Sequence, residues 1–115
     1  TNTPLQALTL LNEEAFFDAA RSFGQSIYES SGSLQDKLGR AFVAVTARQP
    51  SPAESDVLKR SFESYREDYS KNPKAIKALF KTKKAIDTLK SPTELAAFTA
   101  IANVLLNLDE TTTRE

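Results

Sequence analysis

A chain of 115 residues, with 40% hydrophobic and 26% charged residues, is long enough to enclose a hydrophobic core and too apolar to remain disordered. It contains no cysteine and no histidine, which excludes disulfides, thiolate and imidazole metal sites, and catalytic arrangements built on those side chains. Its 15 basic residues equal its 15 acidic ones, so net charge gives no reason to expect nucleic acid as a partner.

Two helices are predicted at the start of the chain. Thr3-Pro4 indicates the N-cap and first position of a short apolar helix over residues 5–11. Asn12 then caps a second helix, which should run to about Tyr28 or Glu29 before Ser30-Ser31-Gly32 ends it. The buried side of this second helix is predicted to comprise Phe16, Ala19, Ala20, Phe23 and Ile27.

Three further helices are predicted from their caps and prolines. Ser33 begins a third helix with Asp36 as its capping partner, and Arg48-Gln49-Pro50 ends it because a residue before proline avoids helical geometry. Ser51-Pro52-Ala53-Glu54 is the clearest local signal and places a capping box at the start of a fourth helix. Asn72-Pro73 ends that helix and begins a fifth. The predicted buried faces are Leu34, Leu38, Ala41, Phe42 and Val45, then Leu58, Phe62, Tyr65 and Tyr69, then Ile76, Leu79 and Phe80.

The most apolar stretch follows a polar segment, residues 82–90, which is predicted to be a loop. Ser91-Pro92-Thr93-Glu94 is a second predicted capping box, and residues 95–108 after it contain three polar side chains, Thr99, Asn103 and Asn107. A helix that is apolar on most of its circumference is usually buried, and this one is shorter than the roughly 20 residues of a membrane span. The two apolar stripes are Leu95, Phe98, Ala102 and Leu105, and Ala97, Ile101, Val104 and Leu108.

These patterns predict an all-α fold, a compact bundle of five to six helices around a buried C-terminal helix, with residues 1–115 as a single helical domain. Asn103 lies in the middle of the buried helix, and we expect its side chain to hydrogen-bond to a loop.

Lysines provide one candidate binding surface. Lys74, Lys77, Lys81 and Lys84 share one helical face if the fifth helix continues that far. Such a patch could bind phosphate, a sulfated glycan or an acidic partner. The favoured interpretation is a solvated face that acidic stretches elsewhere in the chain balance. No aromatic side chain on this face is interleaved with the lysines as base stacking would require.

Carboxylates provide the other candidates. Asp109-Glu110, with Asn107 nearby, could ligate a hard cation but supplies too few ligands. Glu13, Glu14 and Asp18 could form a catalytic pair, although acids in the first turn of a helix ordinarily stabilise its dipole. We therefore predict no catalytic, cofactor-binding or metal-binding residue, and we expect Tyr65 and Tyr69 to lie at the edge of the core instead of stacking on sugar.

Three segments resemble a known family in the family's order. They are residues 1–12 (TNTPLQALTLLN), Arg48-x-Pro50 with Glu54, and residues 94–115 (ELAAFTAIANVLLNLDETTTRE). Together they look like the C-terminal part of a planctomycete-specific family, a domain of unknown function in large secreted proteins that often carry cytochrome-c-like haem domains. The residues that carry the resemblance are Thr3, Pro4, Gln6, Asn12, Arg48, Pro50, Glu54, Asn107, Asp109, Glu110 and Arg114.

The resemblance implies a fragment of a larger multidomain protein that is exported to the periplasm or cell surface, without a cofactor in this piece. We expect a non-catalytic structural or interaction module whose partners are the neighbouring domains of the parent protein. Two alternatives stay open. One is a subdomain of an extracytoplasmic enzyme of polysaccharide processing or haem-linked redox chemistry, which carboxylates facing each other across a cleft would favour. The other is a glycan-binding module that uses the lysine face.

Overall fold

The computed structural model describes residues 14–80 and 91–108, and the side chains of residues 18–80 and 91–108. The predicted helix over residues 5–11 and the predicted loop over residues 82–90 lie outside the described residues. The described helices are α1 (Glu14–Glu29), α2 (Leu34–Thr46), α3 (Pro52–Ser70), α4 (Pro73–Leu79) and α5 (Pro92–Leu106). No strand occurs in the part of the chain that the structure describes, and the predicted all-α class is confirmed.

The α5 helix lies at the centre of the fold. Every residue from Leu95 to Asn103 is buried, and so is Leu105. The α1 and α3 helices make the most extensive contacts with α5, and α2 and α4 also pack against it. The predicted buried C-terminal helix is therefore confirmed. It ends at Leu106 and not at the predicted residue 108, and Val104, Leu106 and Leu108 are half-buried.

The predicted starts of α2 and α3 are confirmed as reciprocal capping boxes. Ser33 Oγ accepts a hydrogen bond from the Asp36 N–H at 3.2 Å, and Asp36 Oδ2 accepts one from the Ser33 N–H at 3.3 Å. Ser51 and Glu54 form the same pair of bonds, at 3.2 and 2.8 Å, with Pro52 in the first position of α3. Each box satisfies backbone N–H groups that a helix start otherwise leaves unpaired.

Only one of the two hydrogen bonds predicted for the second Ser-Pro-x-Glu capping box forms, so this prediction is wrong in part. Ser91 Oγ accepts from the Glu94 N–H at 3.3 Å, as predicted, but the Ser91 N–H donates to Tyr28 Oη at 3.2 Å. The backbone of Ser91 (φ −144°, ψ 86°) differs from the extended backbone of Ser51 (φ −68°, ψ 164°), and this difference directs its N–H toward α1. The start of α5 is thus joined to the end of α1.

The predicted buried side of α1 needs one correction. Ala19 is exposed, whereas Ala20, Gly24 and Ile27 are buried and Phe23 is half-buried. An alanine contributes little hydrophobic surface, so the predicted face of α1 rested on the larger residues. These define the rotation of the helix about its axis only to within about one residue. The side chain of Phe16 lies outside the described residues.

Gly24 allows α1 and α5 to approach closely. A Cβ atom at Gly24 would lie 2.7 Å from both Cα and Oγ1 of Thr99 and 2.9 Å from its backbone nitrogen. Thr99 is itself fully buried, and its hydroxyl donates to the Leu95 carbonyl at 2.8 Å. The backbones can therefore come together here only because one of the two residues lacks a side chain.

The apolar faces of α2, α3 and α4 form the remaining core as predicted, except that Leu34 and Val45 of α2 are half-buried. Phe98 of α5 contacts two other rings, that of Phe62 with centroids 4.5 Å apart and that of Tyr28 at 6.3 Å in an edge-on arrangement. Tyr65 and Tyr69 are 2% and 7% exposed, so they lie inside the core and not at its edge as expected, and they cannot offer a flat surface to a sugar. The buried residues of these three helices are Leu38, Ala41, Phe42, Thr46, Leu58, Phe62, Tyr65, Tyr69, Ile76 and Leu79, followed by Phe80.

We predict opposite effects for two glycine-to-alanine substitutions. Gly24→Ala should lower the free energy of unfolding by about 1–3 kcal/mol, because the added methyl group meets the Thr99 backbone. Gly39→Ala in α2 should raise it by about 0.5–1 kcal/mol, since its Cβ meets nothing within 4 Å and alanine favours helix. Urea denaturation of both variants measures the difference. Equal stabilisation by the two substitutions would contradict the close approach.

Candidate functional site

The motif residues Arg48 and Glu54 form a two-pronged ion pair at the corner between α2 and α3. Arg48 Nη1 lies 2.9 Å from Glu54 Oε1, and Nη2 lies 2.8 Å from Oε2. Glu54 Oε1 also accepts the Ser51 N–H at 2.8 Å, so one carboxylate both caps α3 and binds the arginine. This parallel arrangement suits the planar guanidinium group and fixes its orientation.

The arginine is further held by the end of α2. Its guanidinium carbon lies 5.0 Å from the centroid of the buried Phe42 ring. Thr46 Oγ1 donates to the Phe42 carbonyl at 2.8 Å and accepts from the Arg48 N–H at 3.3 Å. Ala47 ends the helix in the left-handed conformation, with φ 63°. These contacts set the direction in which the chain leaves α2 and enters α3.

The environment of Glu54 keeps its carboxyl group ionised. The hydrogen bond from Arg48, followed by that from the Ser51 N–H, lowers the pKa of Glu54 from 4.5 to about 2. A carboxyl group with so low a pKa has already lost its proton near neutral pH and cannot act as a general acid. The motif at residues 48–54 therefore has the chemistry of a structural clamp.

A groove lies where the start of α2, the middle of α3 and the start of α5 meet. It has a volume of about 260 Å³, and two of its lining residues, Arg66 and Glu94, also line a second depression of about 410 Å³. The groove is lined by Gly32, Leu34, Lys37, Phe62, Glu63, Arg66, Glu94 and Phe98, and the second depression by Arg66, Glu67, Ser70, Ser91, Thr93 and Glu94.

Side chains of both charges line this groove. Glu63 comes from α3 and Glu94 from α5, so carboxylates belong to two different walls. Lys37 is engaged with the protein, because its amine donates to the Tyr28 carbonyl at 3.0 Å and lies 5.5 Å from the Phe98 centroid. The rings of Phe62 and Phe98 are 3% and 2% exposed, which leaves the rim polar. The groove can offer hydrogen bonds and charge to a ligand but little aromatic surface.

Sequence reasoning missed this groove. Glu63 and Arg66 have the spacing of a solvated helix face, and Glu94 was interpreted as a capping residue. The three helices that form the groove are brought together by the packing of α5. No local pattern in the sequence could have indicated that their polar residues share one depression.

The predicted lysine face is partly described. Lys74 and Lys77 are exposed on α4, whereas Lys81 and Lys84 lie outside the described residues. The four-lysine patch therefore stays a prediction. The neighbouring Lys71 is paired with Glu67 at 3.2 Å.

The candidate carboxylates are placed only in part. Asp18 is exposed and pairs with Arg21, whose Nη1 also donates to the Leu79 carbonyl at 2.9 Å and so joins α1 to the end of α4. Asn107 caps the end of α5 through a 2.7 Å bond from its side-chain nitrogen to the Asn103 carbonyl. The remaining candidates lie outside the described side chains: Glu13, Glu14, Asp109 and Glu110, together with the motif residues Thr3, Pro4, Gln6, Asn12 and Arg114.

Among the described residues, the side chains of Asn103 and Tyr65 are buried without a hydrogen-bond partner. The amide of Asn103 is fully buried, and within the described residues neither its nitrogen nor its oxygen has a hydrogen-bond partner. The predicted loop over residues 82–90 lies outside the described residues, and within them the predicted bond from Asn103 to a loop is not found. Tyr65 Oη is likewise unpaired there, and burial raises the pKa of Tyr65 and of Tyr69. Unpaired buried groups of this kind lower stability.

Two searches of the described residues bear on binding. No three acidic side chains in residues 18–80 and 91–108 lie close enough together to hold a metal ion. No described helix is both long enough and apolar enough to cross a membrane.

A family model described as PSD1, protein of unknown function (DUF1553), matches residues 1–62, more than half of the chain. The chain belongs to this family. The DUF1553 match contains two of the three segments singled out above, including Arg48, Pro50 and Glu54, and ends within α3. No curated protein and no solved structure is detectably similar to the chain.

The clamp in the DUF1553 segment predicts how stability responds to acid. Because folding lowers the pKa of Glu54, its stabilising effect is complete above pH 4.5 and is lost as the pH falls through about 2. Glu54→Gln should therefore give a melting temperature that depends less on pH in this window. Thermal unfolding between these two pH values compares the variant with the wild type.

Arg48→Met is the matched second variant, because it removes the largest cause of the shift and keeps the carboxyl group. It should also weaken the pH dependence. Wild-type slopes in both variants would show that the ion pair does not form in solution.

Proposed function

We propose that this chain is a non-catalytic structural or interaction module of a larger exported multidomain protein of the planctomycete type. The observation that carries the proposal is the Arg48–Glu54 clamp. The charged residues of the motif are bound to each other and to the α3 cap, which orients two helices. Because Arg48 and Glu54 bind each other and the α3 cap, we assign them a structural role, with 43% and 36% of their side chains exposed.

The exposed surface agrees with such a role. Val57, which is 54% exposed, is the exposed large hydrophobic residue in the described part of the chain, and the surroundings of the groove are polar. Contacts between domains of one chain are typically more polar than permanent subunit interfaces. We propose that neighbouring domains of the parent protein are the partners and that they contact polar surface of this kind.

Export and the multidomain parent are supported by the resemblance of residues 1–12, 48–54 and 94–115 to secreted planctomycete proteins. A chain without cysteine or histidine cannot bind haem through those residues, so a haem domain would be a separate part of the parent. The module would then act by positioning the domains on either side of it.

Fractionation of the cells that produce the protein tests this proposal. An antibody against residues 14–80 should detect a polypeptide much longer than 115 residues in the periplasmic or surface fraction. A periplasmic and a cytoplasmic marker protein serve as controls for the fractions. Detection of a free 115-residue chain in the cytoplasm would contradict the proposal.

A second candidate, a subdomain of a polysaccharide-processing enzyme, is favoured by one observation. Glu63 and Glu94 lie on different walls of the same groove, with Arg66 beside them. Glycosidic bonds are commonly hydrolysed by two carboxyl groups, one as an acid and the other as a base or nucleophile. We rank this candidate second because none of the described residues that line the groove exposes an aromatic ring on which a sugar could stack.

Reducing-end assays on neutral and acidic polysaccharides separate the two candidates. Under our proposal the wild-type chain releases no reducing ends above the buffer control. Release that is abolished by Glu63→Gln and by Glu94→Gln would favour the enzyme instead. Asp56→Asn is the matched control, since Asp56 pairs with Arg60 on α3 and does not line the groove.

For the lysine face we propose a solvated surface and not a glycan-binding site. Titration with a heparin-like polymer at physiological salt should show only weak binding that increases at low salt. Tight, saturable binding that is lost in Lys77→Glu and kept in Lys59→Glu would reverse this assignment. Both lysines are exposed, and they lie on different helices, α4 and α3.

A further inference from the structure

No further inference is drawn: the strongest candidate, the fully buried Asn103 amide in the middle of α5, has no hydrogen-bond partner among the described residues, and nothing in that part of the chain shows which ligand or segment would meet it.

Discussion

The close approach of α1 to α5 is the constraint on which the rest of the fold depends. Gly24 and Thr99 bring the two backbones together, and the Tyr28 hydroxyl accepts the first N–H of the α5 cap. With α5 held in this way, α3 covers another part of its surface and α2 and α4 complete the contacts. The charged corner at Arg48 and Glu54 then fixes how α2 leads into α3. The packing of helices on α5 thus determines the architecture, and the Arg48–Glu54 ion pair sets the angle between α2 and α3.

The clamp and the groove give different information about function. The clamp contains residues of the DUF1553 segment, and its two charged groups bind each other at the surface of the protein. The groove has charged side chains on its rim, but its lining is drawn partly from α5, beyond the matched residues. We therefore rank the proposed structural role above a role for the groove, whose residues lie partly outside the family match.

Local signals were sufficient to predict most of the fold. Residues within one or two turns of each other predict the capping boxes at Ser33 and Ser51 and the proline start of α4. The same is true of the apolar faces of α3 and α4. The errors arose where distant segments meet. The prediction that Ala19 is buried was wrong because the rotation of α1 about its axis depends on how it crosses α5, which the local sequence does not show. The second bond of the Ser91 box was wrongly predicted because the group that replaces it, the Tyr28 hydroxyl, is 63 residues away in sequence. The candidate groove needed three helices in place, so no pattern could reveal it.

The pairing of α1 with α5 also has a consequence for how the protein is made. A ribosome releases the chain from its N-terminal end, so α1 emerges long before the helix that covers it. The surfaces of α1 and α3 that contact α5 lack this partner until α5 is synthesised. Contacts between such distant segments form late in folding. Apolar surface left without its partner at such a stage is the kind at which aggregation or chaperone binding generally competes with folding.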